Sequence, residues 1–588
     1  MAAAHGPRVF LPRRNRHGGE PVSFATLARD ARALARALLD LGLRRGDRVG
    51  LLADNRYEWL LADLATTYLG AVDVPRGSDT PPAEVHFILR HAGCRMAFVD
   101  GDAAAKDLLA HRPELPELET VLSLAEHSAL PGVRTLPELL ARGAELLASD
   151  PEPLVAARAA VRPQDLLTLV YTSGTTADPK GVMLTHGNIL SNIEMVHDVL
   201  HVDEHDVFLS VLPAWHTYER IMDYVALSAG AHVVYTDRRR IKEDLVAVRP
   251  TAFAAVPRIW EMIHDGILHT VEKMRGVRGR LLRYTLHCCR RVGAGRPRLL
   301  DRLAHPLLRA TILPKVLAST GGRLRLAVSG GGSLPAHVDE TLLGLGLPIL
   351  NGYGLTETSP VASVRVPEDN RPGTIGRALP RTEIQIRDEA GRVLAPGQIG
   401  LIWIRGPQVM AGYYRNPERT AQVMDAAGWF NSGDLGCIEP DSHLRITGRA
   451  KDTIVLAGGE NVEPEPIEVA LKASPLIDQA IVVGQDQKHV GALLVVNPTV
   501  LELRVPQSQW QVRDGLIGAP AVLDLYRQEI HRLVSRSAGF RPVDRIATFR
   551  LLAEPMSVEN GALTQTLKVK RRVVAERYAG LLGEMFAG

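Results

Sequence analysis

Between residues 48 and 330 the sequence keeps returning to one device: a short apolar run, closed by glycine or proline, followed by a stretch with helical spacing. RVGLLAD (48–54), AVDVP (71–75), MAFVD (96–100), LLTLVYTS (166–173), DVFLSVLP (206–213), AHVVYT (231–236), TAFAAVP (251–257) and RLRLAVSG (323–330) are the runs. Each is too short for a helix that buries itself and reads as a strand. Strands alternating with helical patterns require a layered α/β architecture. The segment 23–42 supplies a helical partner, with Ser23 placed to cap it and Gly42 to end it, and a second helix is expected from about 57 to 69.

The pattern then changes twice. From residue 372 short strands crowd together (TEIQIRD, GLIWIRG, LRITGR), which predicts a β-rich subdomain over about 372–448. After Arg449 come AIVVGQ and GALLVVN as strands and a helical stretch over about 521–535. A chain of 588 residues exceeds one ordinary core. The expected division is a large α/β/α layered N-terminal domain (1–450) and a small mobile α+β C-terminal domain (451–588), with the joint at 450–452.

Apolar residues make up 46% and charged residues 23%, as in globular enzymes. A net charge of +3 gives no support to nucleic acid as a partner. The four cysteines, Cys94, Cys288, Cys289 and Cys437, form no CxxC pair, which argues against a zinc site or a disulfide framework and for a reducing, cytoplasmic setting. Residues 1–11 hold no signal-peptide run, and no apolar stretch reaches the roughly 18 residues of a spanning helix. One region departs from the even mixture. From 273 to 325 there are fourteen lysines and arginines and a single acid, Asp301, with leucines interleaved. It reads either as a solvated helix face or as a docking surface for anionic membrane or an acidic carrier protein.

Residues 171–182, YTSGTTADPKGV, carry the first chemistry. Thr172, Ser173, Gly174, Thr175 and Thr176 offer closely spaced backbone N–H groups and hydroxyls, which suit a polyphosphate, and Lys180 adds a point charge. Such a turn also occurs as a plain connector. It is not a Walker A loop, because Pro179 precedes Lys180 and Gly181 follows it.

This loop resembles the phosphate-binding signature of the adenylate-forming superfamily, which includes acyl-CoA synthetases, luciferases and peptide-synthetase adenylation domains. The usual pattern has glycine where this chain has Ala177, at a cost of about 1 kcal/mol or somewhat more if that glycine uses positive φ. The remaining motifs of the superfamily follow in order over about 171–571. The resemblance implies that NGYGLTETSP (351–360) holds adenine and magnesium: Gly352, Tyr353 and Gly354 by the adenine, Tyr353 stacking on it, Thr356 on the α-phosphate, and Glu357, with Thr175, on Mg²⁺. It places Gly330, Gly331 and Gly332 beside the adenine, Asp434 and Arg449 on the ribose, and the catalytic lysine at Lys568 within NGALTQTLKVKR. LPAWHTYER (212–220), with His216 near the acyl pocket, and GGENVEPEPIE (458–468), with Gly458, Gly459 and Glu460 on the thiol side, resemble the long-chain branch and the acyl–acyl-carrier-protein synthetases.

The resemblance therefore implies a two-step ligase. A long-chain fatty carboxylate attacks the α-phosphorus of ATP, pyrophosphate leaves, and a pantetheine thiol then takes the acyl group from AMP. Lys568 offsets the charge repulsion of the first step, and the domain turns at Lys451 for the second. Coenzyme A and the phosphopantetheine of acyl carrier protein present the same thiol arm, so both acceptors stand, with coenzyme A as the first reading. A catalytically silent scaffold is the remaining alternative. Glu357, Asp434, Arg449 and Lys568 speak against it.

Overall fold

The computed structural model of the chain describes residues 2–12, 19–172, 179–564 and 568–587. The apolar runs become the strands of two sheets. The first has eight strands, in the order Gly412–Tyr413, Lys180–Thr185, Leu166–Thr172, Val72–Arg76, Arg48–Leu52, Cys94–Val99, Thr120–Ser123, Arg134–Thr135. From Leu166–Thr172 onward its neighbours are parallel. Lys180–Thr185 instead returns antiparallel, with Thr172 opposite Lys180. The two ends of the hydroxyl-rich loop are thus held side by side. The second sheet runs His232–Tyr235, Val207–Ser210, Ala252–Ala255, Leu326–Ser329, Ile349–Gly354, Val361–Val364, Arg377–Ala378, parallel up to Ile349–Gly354 and antiparallel beyond.

The helices Tyr57–Tyr68, His186–Leu200 and Thr217–Ala229 share one core with both sheets, in which Val49, Val170 and Val182 of the first and Phe208, Val233 and Leu326 of the second are all buried. Burial on both faces explains why strands such as Ala252–Ala255 and Leu326–Ser329 are continuous apolar runs rather than alternating ones. The four strands Glu383–Arg387, Gly400–Arg405, Phe430–Ile438 and Leu444–Arg449 form an antiparallel sheet whose inner residues Ile386, Ile402 and Phe430 join that same core. From Ile454 onward the chain has cores of its own, around a five-stranded sheet that contains Ile477–Val483, Gly491–Val496 and Thr548–Leu552. The architecture is the expected mixed α/β one, with a large N-terminal and a small C-terminal part.

Local signals behave as their chemistry requires. Ser23 caps the helix Phe24–Asp40 by accepting from the Thr26 N–H at 3.1 Å. The helix stops two residues short of Gly42, at the C-cap Leu41, and Gly42 takes the positive φ of +92° that follows. The run 206–213 yields only the strand Val207–Ser210, because Pro213 has no N–H for a ladder and the Leu212 N–H donates to Glu219 instead. All four cysteines are free and buried. No helix among the described residues is long and apolar enough to cross a membrane.

The middle helical layer is tied to the first sheet by a buried ion cluster. Arg220, on Thr217–Ala229, reaches Asp63 Oδ1 at 2.5 Å and Asp73 Oδ2 at 2.7 Å, and its Nε donates to the Tyr224 hydroxyl at 3.1 Å. Tyr224 in turn donates to Asp63 at 2.6 Å. Burial opposes the guanidinium charge, and Asp63 and Asp73 outweigh it and hold Arg220 ionised. Arg220→Met leaves two carboxylates in the core without a cation and should cost about 3–5 kcal/mol. Thermal unfolding followed by calorimetry checks this. Arg220→Lys should recover only part of the loss, because an ammonium lacks the planar fork that serves both acids and the phenol.

Candidate active site

A cavity of about 2090 Å³ lies where the two sheets, the antiparallel sheet and the C-terminal part meet. That exceeds the roughly 300–1,000 Å³ of a single small-ligand site, so it has room for more than one ligand. Thr172, Lys180, His216, Gly330, Gly331, Gly352, Tyr353, Gly354, Thr356, Glu357, Asp434, Arg449, Lys451 and Lys568 all line it.

One corner is built on the strand pair Phe430–Ile438 and Leu444–Arg449, whose register sets Asp434 opposite Arg449. Arg449 Nε meets Asp434 Oδ1 at 2.9 Å, and the Tyr353 hydroxyl donates to Asp434 Oδ2 at 2.7 Å. Burial raises the Asp434 carboxyl above the ordinary range, and Arg449 and Tyr353 counter it. Beside this corner the backbone is bare by necessity. A Cβ at Gly354 would lie 1.7 Å from the Pro360 carbonyl oxygen, and Gly331 has φ +78°.

The opposite corner gathers charge. Glu357 Oε1 accepts from the Tyr413 hydroxyl at 2.9 Å, and Lys180 Nζ stands 5.1 Å from the centre of the Tyr413 ring. Burial lowers the Lys180 ammonium, with Arg419 and Lys451 adding to the effect and Glu357 opposing it. Tyr413 reaches this place through the strand Gly412–Tyr413, paired with Val182 and Met183.

His216 caps the helix Thr217–Ala229, its Nδ1 accepting from the Tyr218 N–H at 3.3 Å. Burial first, then Lys568 and Arg76, lower its pKa to about 4. The ring is neutral at pH 7. With Nδ1 an acceptor, its hydrogen is assigned to Nε2, as a donor.

Of these groups Lys568, with Lys451 at the joint, is carried by the C-terminal part. It stands open to the solvent of the cavity yet is surrounded by protein, which lowers its ammonium pKa to about 8. Arg449 reinforces the shift, while Asp434, Glu465 and Glu357 oppose it. Polar pairs hold the two parts in this orientation: Arg258 with Asp478 at 2.6 Å, Lys472 with Glu261 at 2.9 Å, and Ser333 with Glu465.

The structure does not bring every expected residue to the cavity. Gly458, Gly459 and Glu460 form an exposed turn between Ile454–Val455 and Asn461–Val462 and do not line it, and neither does Gly332. Ser173, Gly174, Thr175, Thr176 and Ala177 lie outside the described residues. Tyr413, Arg419, Arg76 and Glu465 escaped the sequence reading, since only tertiary packing brings them near the site. Apolar Val196, Leu200, Met222, Val361 and Val364 form a further part of the lining. Elsewhere His86, Asp107 and His111 bring three ligand atoms within 4.8 Å of one another, but His86 and Asp107 already satisfy each other at 2.7 Å.

Residues 2–414 match the family described as AMP-binding enzyme, and residues 451–514 its C-terminal domain. The chain is 31% identical to a chloroplastic long-chain-fatty-acid–[acyl-carrier-protein] ligase of Arabidopsis thaliana, over 100% of this chain and 85% of that one. It is 33% identical to a long-chain-fatty-acid–CoA ligase of Mycobacterium tuberculosis, over 95% and 91%. Among solved structures, ATP-bound MatB from Rhodopseudomonas palustris superposes with a TM-score of 0.73 at 23% identity, covering 98% of this chain and 97% of that one.

The surroundings of Lys568 predict how it titrates. Labelling of its amine, followed by mass spectrometry across pH, should show an inflection near 8. Arg449→Ala removes a cation that lowers this pKa, so the inflection should move upward. An inflection near 10.5, the value for an unperturbed lysine, would contradict the burial described.

Proposed function

The chain belongs to the AMP-binding enzyme family, and we propose that it joins a long-chain fatty acid to ATP as acyl-AMP, releasing pyrophosphate, and then transfers the acyl group to coenzyme A, releasing AMP. The observation that carries this reading is the entry of Lys568 into a cavity that already holds Glu357, Asp434, Arg449 and neutral His216. Anion meeting anion is the barrier of the first step. A lysine fixed between the reacting carboxylate and the α-phosphate lowers it, and loss of such a preorganised cation costs roughly 10²–10³ in rate. His216 Nε2–H gives a neutral donor at the acyl end. Asp434 and Arg449 offer an acceptor and a cation to the ribose hydroxyls, and the Tyr353 ring packs on adenine. Thr172 and Lys180, which line the cavity, would serve the polyphosphate, the role the sequence motif also implies for Ser173, Gly174, Thr175 and Thr176.

The donor set around Glu357 fits magnesium, which takes one or two carboxylates and keeps phosphate and water oxygens. One carboxylate oxygen accepts from Tyr413, the other has no protein partner among the described residues, and Thr356, the preceding residue, also lines the cavity. When bound, the ion would neutralise charge on the phosphates. The apolar lining from Val196 to Val364 suits an alkyl chain, with about 0.8 kcal/mol for each CH₂ it buries. Acyl carrier protein is the second acceptor to consider, because the Arabidopsis relative that matches all of this chain carries that name. The proposed setting is the cytoplasm, with peripheral contact to membrane.

The test is long-chain-acid-dependent exchange of pyrophosphate into ATP by the pure protein, followed by thioester formation with coenzyme A or acyl carrier protein in separate reactions. Glu357→Ala and Lys568→Ala should abolish exchange or reduce it by orders of magnitude, while Arg449→Ala should mainly raise the KM for ATP. If no acid of medium or longer chain supports exchange, the ligase reading fails.

A domain that inserts Lys568 for the first step must turn away for the second, and the proposed joint is Lys451, directly after the segment that holds Arg449. Proline at this position fixes φ near −65° and restricts Ala450. Lys451→Pro should leave acyl-AMP formation intact and cut thioester formation by orders of magnitude, measured as separate half-reactions. Equal loss in both, or in neither, would place the joint elsewhere.

A further inference from the structure

The basic stretch 273–325 folds into two main helices, Gly276–Gly293 and Leu299–Thr311, packed on each other and on the outside of the second sheet through Ala336–Leu345. Amphipathic helices normally turn their leucines inward. Leu299–Thr311 does the reverse with most of its own. Leu299, Leu300, Leu303 and Leu307 are 66–75% exposed, while Asp301 and Leu308 face the protein. At 3.6 residues per turn the four outward leucines fall within an arc of about 100°. Arg302 and Arg309 border that arc on one flank, with Arg298 just before the helix. The neighbouring helix adds Val277, Leu281 and Tyr284, exposed at the spacing of a single face.

The charges are arranged to match. Of the fourteen basic residues, Arg290 pairs with Glu340, Arg291 with Asp301 and Arg325 with Asp206. The other eleven are exposed and have no carboxylate partner among the described residues. An apolar ridge edged by unpaired cations is the pattern of a segment that lies in a bilayer interface, with leucines among the acyl chains and arginines at anionic headgroups. A second copy of the chain fits poorly, because a two-fold contact would press this cationic face against itself. An acidic carrier protein fits poorly too, because it must deliver a thiol to the cavity and no residue of 273–325 lines that cavity.

We infer that the helix pair Gly276–Gly293 and Leu299–Thr311 is a docking surface for an anionic lipid bilayer, seated through the ridge Leu299, Leu300, Leu303 and Leu307. This gives a location to the peripheral membrane contact proposed above and rests on that reading.

Sedimentation of the full chain with vesicles tests it. The protein should sediment with phosphatidylcholine vesicles containing about 30% phosphatidylglycerol, much less with phosphatidylcholine alone, and less again in about 500 mM salt. The combined variant Leu299→Ser, Leu303→Ser, Leu307→Ser should weaken binding to the anionic vesicles at least about tenfold. The variant Arg298→Glu, Arg302→Glu, Arg309→Glu should do the same by removing the attraction. Both should keep wild-type pyrophosphate exchange with dispersed substrate, since these residues lie outside the cavity. Equal sedimentation of wild type and both variants would overturn the proposal. So would absence of binding to anionic vesicles, or a dimer that disappears in the leucine variant while vesicles are ignored. So would binding of apo acyl carrier protein that depends on these residues in place of lipid. Vesicle binding without exchange activity would reject the ligase reading and leave this surface standing. Exchange without vesicle binding would reject the surface alone.

Discussion

A guanidinium sealed from water has to find its counter-charges inside the protein, and Arg220 finds them on two other elements of the fold. Asp63 comes from a helix, Asp73 from a strand of the first sheet, and Arg220 itself from the helix whose first turn follows His216. Partners buried on three elements cannot slide independently without stranding a charge. The cluster therefore fixes the helix that His216 caps relative to the sheet that carries Thr172 and Lys180. The cluster thus ties the His216 side of the cavity floor to the sheet that carries its Thr172 and Lys180 side.

The other wall is held differently. The pairs Arg258–Asp478 and Lys472–Glu261 cross the junction, with Glu261 buried and the other three groups part-exposed, so this seam is held by charge pairs. The C-terminal part has cores of its own, built of residues from Ile454 onward. Separate cores on the two sides of a charge-paired seam are compatible with the turn at Lys451 proposed above.

Much of this was legible in the sequence because it is local. Strand runs bounded by glycine and proline, the Ser23 cap, and motifs that place Tyr353, Glu357, Asp434, Arg449 and Lys568 in order are all short-range signals. What the sequence withheld depends on packing. Tyr413 meets Glu357 across 56 positions, and Arg76 bears on His216 from another sheet. The apolar lining named above takes one or two residues from each of three separate elements, so no run of letters announces it. Gly458, Gly459 and Glu460 are read from a motif, yet in this orientation they stand in a turn outside the cavity. The leucines of Leu299–Thr311 mislead in the opposite sense. Helical periodicity says that they share a face, but only the fold says that the face points outward.

The burial of all four cysteines bears on the proposed chemistry in a way that concerns reactivity rather than structure. An acyl-adenylate is an acylating agent as potent as many laboratory anhydrides, and any thiolate near it is a victim. Here Cys94 and Cys289 have their thiols pushed up to about 12 by burial, and none of the four cysteines lines the cavity. A protein thiol kept protonated and out of reach cannot intercept the intermediate. In the proposed reaction the acyl group would wait in a chamber whose lining holds no cysteine, and the first thiolate to reach it would be one that diffuses in from outside.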